Sequence, residues 1–393
     1  MKIGPVAQIL SDPDGIGTNV ITGLVRPHIP GPGADDPGVI RVLVVDDSAL
    51  VRRLVTTSLG LDPEIEVAGQ ATHGREAIEM VDALKPDAVT LDIEMPILDG
   101  LGALDAIRRK HPRLPVIMFS TLTEKGATKT LEALSLGASD FVTKPSNTTS
   151  MAESMASVRE QLIPKLKALV GAYRLVGGGR SVGPARDVLA PVVAPVRTVQ
   201  PTTTRPEVLL IGCSTGGPDA LSRVLEELPG TLRVPVLVVQ HMPPLFTTMF
   251  AERLDRVSPL AVREAVEGDE PRPGEVLIAP GGFHLRIRRT AGLVRAHLDE
   301  GPQENFCRPA VDALFRSAVD VYGGAALALI LTGMGSDGLV GCRLLAEQGA
   351  RVVVQDEASS VVWGMPGAVA TAGLAHEVLP LEDIAGKLAA LIG

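Results

Sequence analysis

Residues 208–220, "VLLIGCSTGGPDA", decide how the second half of the chain folds. The apolar run Val208 to Ile211 leads into Gly212-Cys213-Ser214-Thr215-Gly216, and Pro218 opens a stretch of helical character. Apolar run, glycine-rich turn and helix, in that order, form the repeating unit of a parallel α/β sheet. The turn sits at the carboxyl end of a strand, where such sheets bind their ligands. It also fits G-x-S-x-G, the form in which a sharp turn exposes a serine hydroxyl. A glycine-rich strand-to-helix turn serves equally well as an anion site. Phosphate-loop spacing is absent, because no Gly-Lys-Ser/Thr follows, and G-x-G-x-x-G is absent too. The turn alone therefore leaves nucleophile and anion cradle both open.

Further along, strands are expected at 208–212, 236–240, 276–279, 326–332 and 351–355, with helices near 218–228, 246–256, 309–321 and 338–347. Residues 284–298 read as a hairpin turning at Ala291-Gly292. A serine nucleophile needs a base, and the base needs an orienting carboxylate. "VVQHMPP" places His241 at the carboxyl end of the second strand, and "LILTGMGSDG" places Asp337 in a glycine-rich loop at the same sheet edge. The amides of Thr215 and Gly216, and one from Gly333-Met334-Gly335, are available to a developing oxyanion. The chain order Ser-His-Asp is not the order of α/β-hydrolases, so likeness to lipases is not pressed. His284 is placed near the cleft, Arg308 toward the substrate acid or a receptor surface, and Trp363 in packing. His28, His73, His111, His297 and His376 read as surface residues.

The same alternation fills residues 40–143. Strands are expected at 42–45, 65–68, 88–91, 116–119 and 141–142, with amphipathic segments near 49–59, 74–84, 101–110 and 124–136. Five such units imply a second doubly wound parallel sheet. Its strand ends carry Asp46-Asp47, Asp92, Ser120 and Lys144. Carboxylates converging on one edge repel one another and call for a hard cation such as Mg²⁺. Asp92 then suits an oxygen nucleophile toward a phosphoryl group, with Lys144 and the Ser120 hydroxyl meeting the phosphoryl oxygens.

Composition sets outer limits. The 393 residues suit two or three domains, and 45% hydrophobic content suits sizeable cores. A net charge of -9 argues against a nucleic-acid-binding protein. Cys213, Cys307 and Cys342 lie far apart, with neither zinc spacing nor a disulfide framework, as expected in a reducing cytosol. The apolar window 324–331 is too short to span a bilayer, and no signal peptide is read at the N-terminus. Residues 1–38 are expected to be a disordered extension. A helical stretch follows at 151–170, and the Gly/Pro/Val/Thr-rich 171–206 is expected to link the domains.

Two resemblances sharpen this reading. "LVVDDS", "TLDIEMPILDG", "IMFST" and "FVTKP" resemble the receiver domain of bacterial response regulators, over about 40–160, within a domain expected at 39–170. That resemblance implies a flavodoxin-like fold, Asp92 as phosphoacceptor, and Mg²⁺ held by Asp46, Asp47 and Asp92. It also implies Ser120, Lys144 and the aromatic Phe141 as reporters of phosphorylation. "IGCSTGGP", "VVQHMPP", "APGGFHL", "RPAVDALF", "LTGMGSDG" and "VQDEASSVVWGMPGAVA" resemble the catalytic domain of the chemotaxis protein-glutamate methylesterases, the CheB family, over 207–393. This implies a Rossmann-like hydrolase with Ser214 as nucleophile, His241 as base and Asp337 as orienting acid. Thr215 and Met334 then help form the oxyanion site, and no cofactor is expected there. The chain departs from the family pattern at Cys213, where alanine is frequent, and at Ala310, where serine is frequent. The implied activity is phosphorylation-activated hydrolysis of glutamate methyl esters, with deamidation of glutamines, on methyl-accepting chemotaxis receptors. A chemotaxis histidine kinase is the implied phosphodonor. A cytoplasmic location is expected, with no nucleic acid bound and no direct membrane insertion.

Overall fold

The computed structural model describes residues 38–145, 150–175 and 204–393. The expected N-terminal extension and nearly all of the expected linker lie outside the described residues.

In the first α/β domain, β1 (Ile40–Val45), α1 (Ala49–Leu59), β2 (Ile65–Ala71), α2 (Gly74–Leu84), β3 (Ala88–Asp92), α3 (Gly100–Lys110), β4 (Val116–Ser120), α4 (Glu124–Ser135) and β5 (Asp140–Thr143) alternate. Its strands form one parallel sheet in the order β2-β1-β3-β4-β5. Each of the first four helices starts on a side chain that accepts an orphan backbone N–H, from Ser48, His73, Asp99 and Thr123 in turn. His73 is thus a helix cap through Nδ1, 3.1 Å from Glu76 N, and not a plain surface residue. α5 (Met151–Leu175) runs past residue 170. Its last turn belongs with this domain, because Arg174 reaches Asp87 at 3.0 Å and the Val39 carbonyl at 2.8 Å.

The second domain continues with β6 (Val208–Cys213), α6 (Gly217–Glu227), β7 (Val236–Gln240), α7 (Phe246–Val257), β8 (Ala261–Glu264), β9 (Glu275–Ile278), β10 (His284–Thr290), β11 (Leu293–Asp299) and α8 (Val311–Tyr322). It ends with β12 (Ala326–Ile330), α9 (Leu339–Glu347), β13 (Arg351–Gln355), α10 (Gly364–Thr371), β14 (Glu377–Leu379) and α11 (Leu381–Ile392). Seven strands form a wholly parallel sheet in the order β14-β13-β12-β6-β7-β9-β8. β10 and β11 form the expected antiparallel hairpin, with Ala291 and Gly292 both at positive φ in its turn. The short edge strands β8 and β14 and the helices α10 and α11 add to the sequence reading.

The central strand β6 lies between β12 and β7, with Ile330 opposite Gly212 and Cys213 opposite Gln240. The loops after these three strands therefore leave the sheet side by side. The domains also share a core: buried residues of the first sheet, through Phe141, are continuous with Phe246 and Phe250 of α7. Among the described residues no helix is long and apolar enough to cross a membrane.

Candidate active site and phosphoacceptor pocket

Ser214 follows β6 and is half-buried on its turn. Its N–H donates to the Thr332 carbonyl at 3.0 Å and its carbonyl accepts from Gly217 N at 2.7 Å, so the turn is pinned from both sides. Gly216 holds φ at 76°, a left-handed conformation that favours glycine, and α6 starts from it. Gln240, fully within the sheet edge, donates through Nε2 to the Ser214 carbonyl at 3.0 Å. Thr332 Oγ1 donates to the Thr215 carbonyl at 2.9 Å. A Cβ on Gly333 would stand 2.9 Å from Ser214 Cβ, so only glycine lets the two loops approach this closely. The Thr215 and Met334 N–H groups have no backbone acceptor among the described residues.

His241 follows β7, and its Nε2 lies 2.8 Å from Asp337 Oδ2. Asp337 is almost wholly buried yet fully satisfied. Its Oδ2 also accepts from Val311 N at 2.6 Å, and its Oδ1 accepts from Asn305 Nδ2, Asp312 N and Gly338 N, each at 3.0 Å. α8 has no capping side chain of its own at Ala310, and the Asp337 carboxylate takes its free N–H groups instead. Burial works to raise the Asp337 pKa, but the His241 ring and these N–H donors hold it below the usual carboxylate range. Burial works to lower the pKa of His241, and the Cys307 sulfur together with Asp337 outweighs it, so the imidazolium is favoured. No hydrogen bond joins the Ser214 hydroxyl to His241 among the described residues. The structure thus brings the three expected residues to adjacent strand ends with the base–acid contact formed.

Other expectations resolve individually. Cys213 is fully buried, its Sγ 3.7 Å from the Val239 carbonyl, and burial pushes its thiol pKa far above the ordinary value. It is inert beside Ser214. His284 is buried, with Nε2 2.9 Å from the Pro302 carbonyl and Nδ1 accepting from Ala310 N at 3.2 Å, and so supports the start of α8. Arg308 is spent on the Glu300 and Gly301 carbonyls at 2.6 and 2.8 Å. Trp363 Nε1 donates to the Gln355 carbonyl at 3.0 Å. His111 and His297 pair with Asp82 and Glu267, and His376 Nδ1 accepts from Val352 N, so all three serve local structure. His28 lies outside the described residues. Gln240, Asn305 and Cys307 are the site residues that the sequence reading missed. Gln240 precedes His241 directly, and that adjacency was the one available signal.

In the first domain Lys144 Nζ lies 2.8 Å from both Asp46 Oδ2 and Asp92 Oδ1. Asp46, Asp47 and Asp92 offer oxygens that all lie within 4.8 Å of one another. Burial, and then the charge of Asp46, push the Asp92 pKa up to about 6 despite Lys144 and the Ile93 N–H. Charge that one lysine leaves uncompensated, on an all-oxygen donor set, fits a hard dication such as Mg²⁺. The Ser120 hydroxyl is engaged with the start of α4: it lies 3.3 Å from the Gly126 carbonyl and accepts from Thr130 Oγ1 at 2.7 Å. Phe141 is buried against the second domain, its ring stacked on Phe246 at 4.6 Å and 8°.

Asp140 joins the two sites. Its Oδ2 accepts from Thr215 Oγ1 at 2.6 Å, across the domain boundary and next to the candidate nucleophile, and pairs with Lys165 at 2.7 Å. Arg253 of α7 also donates to the Leu131 carbonyl of α4 at 2.7 Å, and Met334 and Val362 pack against the first domain's core.

Comparison with known proteins agrees with both halves. Residues 209–388 match the family described as CheB methylesterase, and 42–156 match the response regulator receiver domain. A Nocardioides protein described as a protein-glutamate methylesterase/protein-glutamine glutaminase is 54% identical over 358 residues, covering 90% of this chain and 95% of its own. A Trichodesmium erythraeum protein of the same description is 46% identical over 356 residues, covering 90% and 99%. The crystal structure of the Thermotoga maritima CheB methylesterase catalytic domain is 44% identical, with a TM-score of 0.47, covering 47% of this chain and 98% of its own.

Proposed function

The chain belongs to the CheB family of protein-glutamate methylesterases/protein-glutamine glutaminases, and from that premise we propose that Ser214, His241 and Asp337 hydrolyse glutamate methyl esters on chemoreceptors under control of Asp92 phosphorylation. The observation that carries the reading is the 2.8 Å contact between His241 and Asp337 at strand ends flanking the Ser214 turn.

In the neutral imidazole, with Nε2–H held by the carboxylate, Nδ1 is the ring nitrogen that takes the Ser214 proton, so His241 must first lose its own. Ser214 Oγ attacks the ester carbonyl, and the Thr215 and Met334 N–H groups stabilise the resulting oxyanion. The tetrahedral intermediate expels methanol, which leaves with the proton from His241. Water then hydrolyses the acyl-enzyme, with His241 acting as base again. A glutamine side chain follows the same course and releases ammonia.

The reading extends to regulation. The first domain sits on the Thr215–Met334 flank of the site through Asp140, Phe141 and Arg253, which supports an inhibited arrangement. Asp92 is the phosphoacceptor, served by a chemotaxis histidine kinase. Asp46, Asp47 and Asp92 would hold Mg²⁺, which supplies charge neutralisation for phosphoryl transfer. Ser120 and Lys144 then turn to the phosphoryl oxygens, and the Phe141 and Asp140 contacts loosen.

The test is methanol release from methylated receptor membranes by wild type and Ser214→Ala, each with and without a small phosphodonor and Mg²⁺. Release that rises with the phosphodonor and disappears in the variant is the expected result. Release that survives in Ser214→Ala overturns the assignment of the nucleophile.

A further inference from the structure

Among the described residues the most exposed large apolar side chain is Phe306, at 96%. It occupies a tight turn whose flanking residues pair closely: Glu304 N donates to the Cys307 carbonyl at 3.0 Å, and Cys307 N donates back at 2.9 Å. Asn305 and Phe306 form the turn with φ of 51° and 63°. Two-residue turns with both φ positive strongly favour Asn-Gly, so a phenylalanine at the second position works against the backbone. Folding gains nothing from it, since the ring touches solvent.

Every other side chain of this turn is engaged. Glu304 takes Arg316 through both oxygens at 2.6 Å, and Arg286 at 3.4 Å. Asn305 bridges Asp312 at 3.2 Å and Asp337 at 3.0 Å. Arg308 fixes the next segment on the Glu300 and Gly301 carbonyls. The turn is therefore a rigid mount, and it is tied directly to the carboxylate that orients His241. The first domain contacts the second at Thr215, Met334 and Phe246, and leaves Phe306 bare.

We propose that Phe306 is a substrate-docking residue, which seats an apolar side chain of the protein substrate beside the modified glutamate and sets affinity for protein over small esters. This rests on the methylesterase reading above. A rigidly mounted aromatic contributes contact area at little cost in side-chain entropy, and buried aromatic anchors dominate protein recognition. Because the ring is free while the first domain is docked, it engages substrate in the unphosphorylated protein as well.

The experiment compares kcat/KM for methylated receptor membranes with kcat/KM for a simple aryl ester, using the full chain. Variants are Phe306→Ala, Phe306→Leu and Phe306→Gly, with Val378→Ala as an exposed apolar control remote from the turn. The expected result is a fall of roughly 10- to 30-fold in the receptor-to-aryl-ester ratio for Phe306→Ala, carried by KM. Phe306→Leu restores most of it. Phe306→Gly loses the ratio equally while raising Tm, because glycine suits the turn, and a merely structural role would not separate the two. An unchanged ratio, or a fall shared equally by both substrates, overturns the inference. Wild type that turns over the aryl ester but releases nothing from receptors overturns the methylesterase reading, and this inference with it.

Discussion

Replacing Asp140 by alanine should switch the protein on without phosphorylation. Asp140 accepts from Thr215 Oγ1 at 2.6 Å, and both groups are buried. A hydrogen bond to a charged group is worth about 1.5–3 kcal/mol. In the separated state Thr215 is hydrated, so the variant weakens only the docked state by that amount. The Lys165–Asp140 pair lies within the first domain and is present in both states, so its loss largely cancels. Lys165 is 24% exposed and reaches water once unpaired. Each 1.4 kcal/mol is tenfold, so the docked-to-separated ratio falls roughly 10- to 150-fold. Methanol release by the unphosphorylated variant should rise by the same factor, up to the level of the phosphorylated wild type. Asp140→Asn keeps an acceptor and should lie between. Release by unphosphorylated Asp140→Ala within twofold of wild type, with both domains still folded by thermal unfolding, would refute the claim that this bond holds the site shut.

Gly333→Ala should lower kcat by about 100-fold, since its Cβ at 2.9 Å from Ser214 Cβ must displace the nucleophile; single-turnover assays read this directly. Cys307→Ser should move the acidic limb of the pH–rate profile to lower pH. The Cys307 sulfur helps hold the His241 pKa up, and the proton-accepting imidazole appears only as pH rises through that pKa. A limb that stays in place would exclude Cys307 from the field at His241. Phosphorylation by a small phosphodonor should rise with pH through about 6 at low Mg²⁺, because Asp92 must lose its proton to attack and its pKa is raised. Added Mg²⁺ favours the carboxylate and should shift that midpoint down, as read from initial rates of phosphoprotein formation.

The two parallel sheets were legible because buried parallel strands write themselves as continuous apolar runs, such as Val208 to Ile211 and Ala326 to Ile330. β8 and β14 were not, because AVRE and EVL are short, half-exposed edges without that run. α10 hides behind Gly364, Pro366 and Gly367, a turn-like composition that the first turn of a helix nonetheless tolerates. That Ser214, His241 and Asp337 share one sheet edge could be read from strand ends alone. Their support could not, because it is non-local. Asp337 caps α8 from another loop, and Asn305 reaches Asp337 from a turn 32 residues away. The contact from Asp140 to Thr215 spans 75 residues, and nothing in either segment announces it.

That contact also limits how the switch can be built. Lys144 touches Asp92, and Asp140 touches Thr215, yet both belong to β5 and the residue that follows it. The Lys144 N–H donates to the Ser120 carbonyl at 2.7 Å, so the end of β5 is tied to the end of β4 at the second residue proposed to meet the phosphoryl group. Five residues, Asp140 to Lys144, thus carry the coupling, and no long relay through the core is needed. Among the described residues the polar and aromatic contacts between the domains are few, each worth about 1–3 kcal/mol. Allosteric couplings are of the same size. A docked state held by many such contacts would outlast one phosphoryl group, and one held by none would not inhibit. The contacts at Asp140, Phe141 and Arg253 are of that size, and the apolar core that the domains share adds to them, so the proposed switch at Asp92 has to offset both.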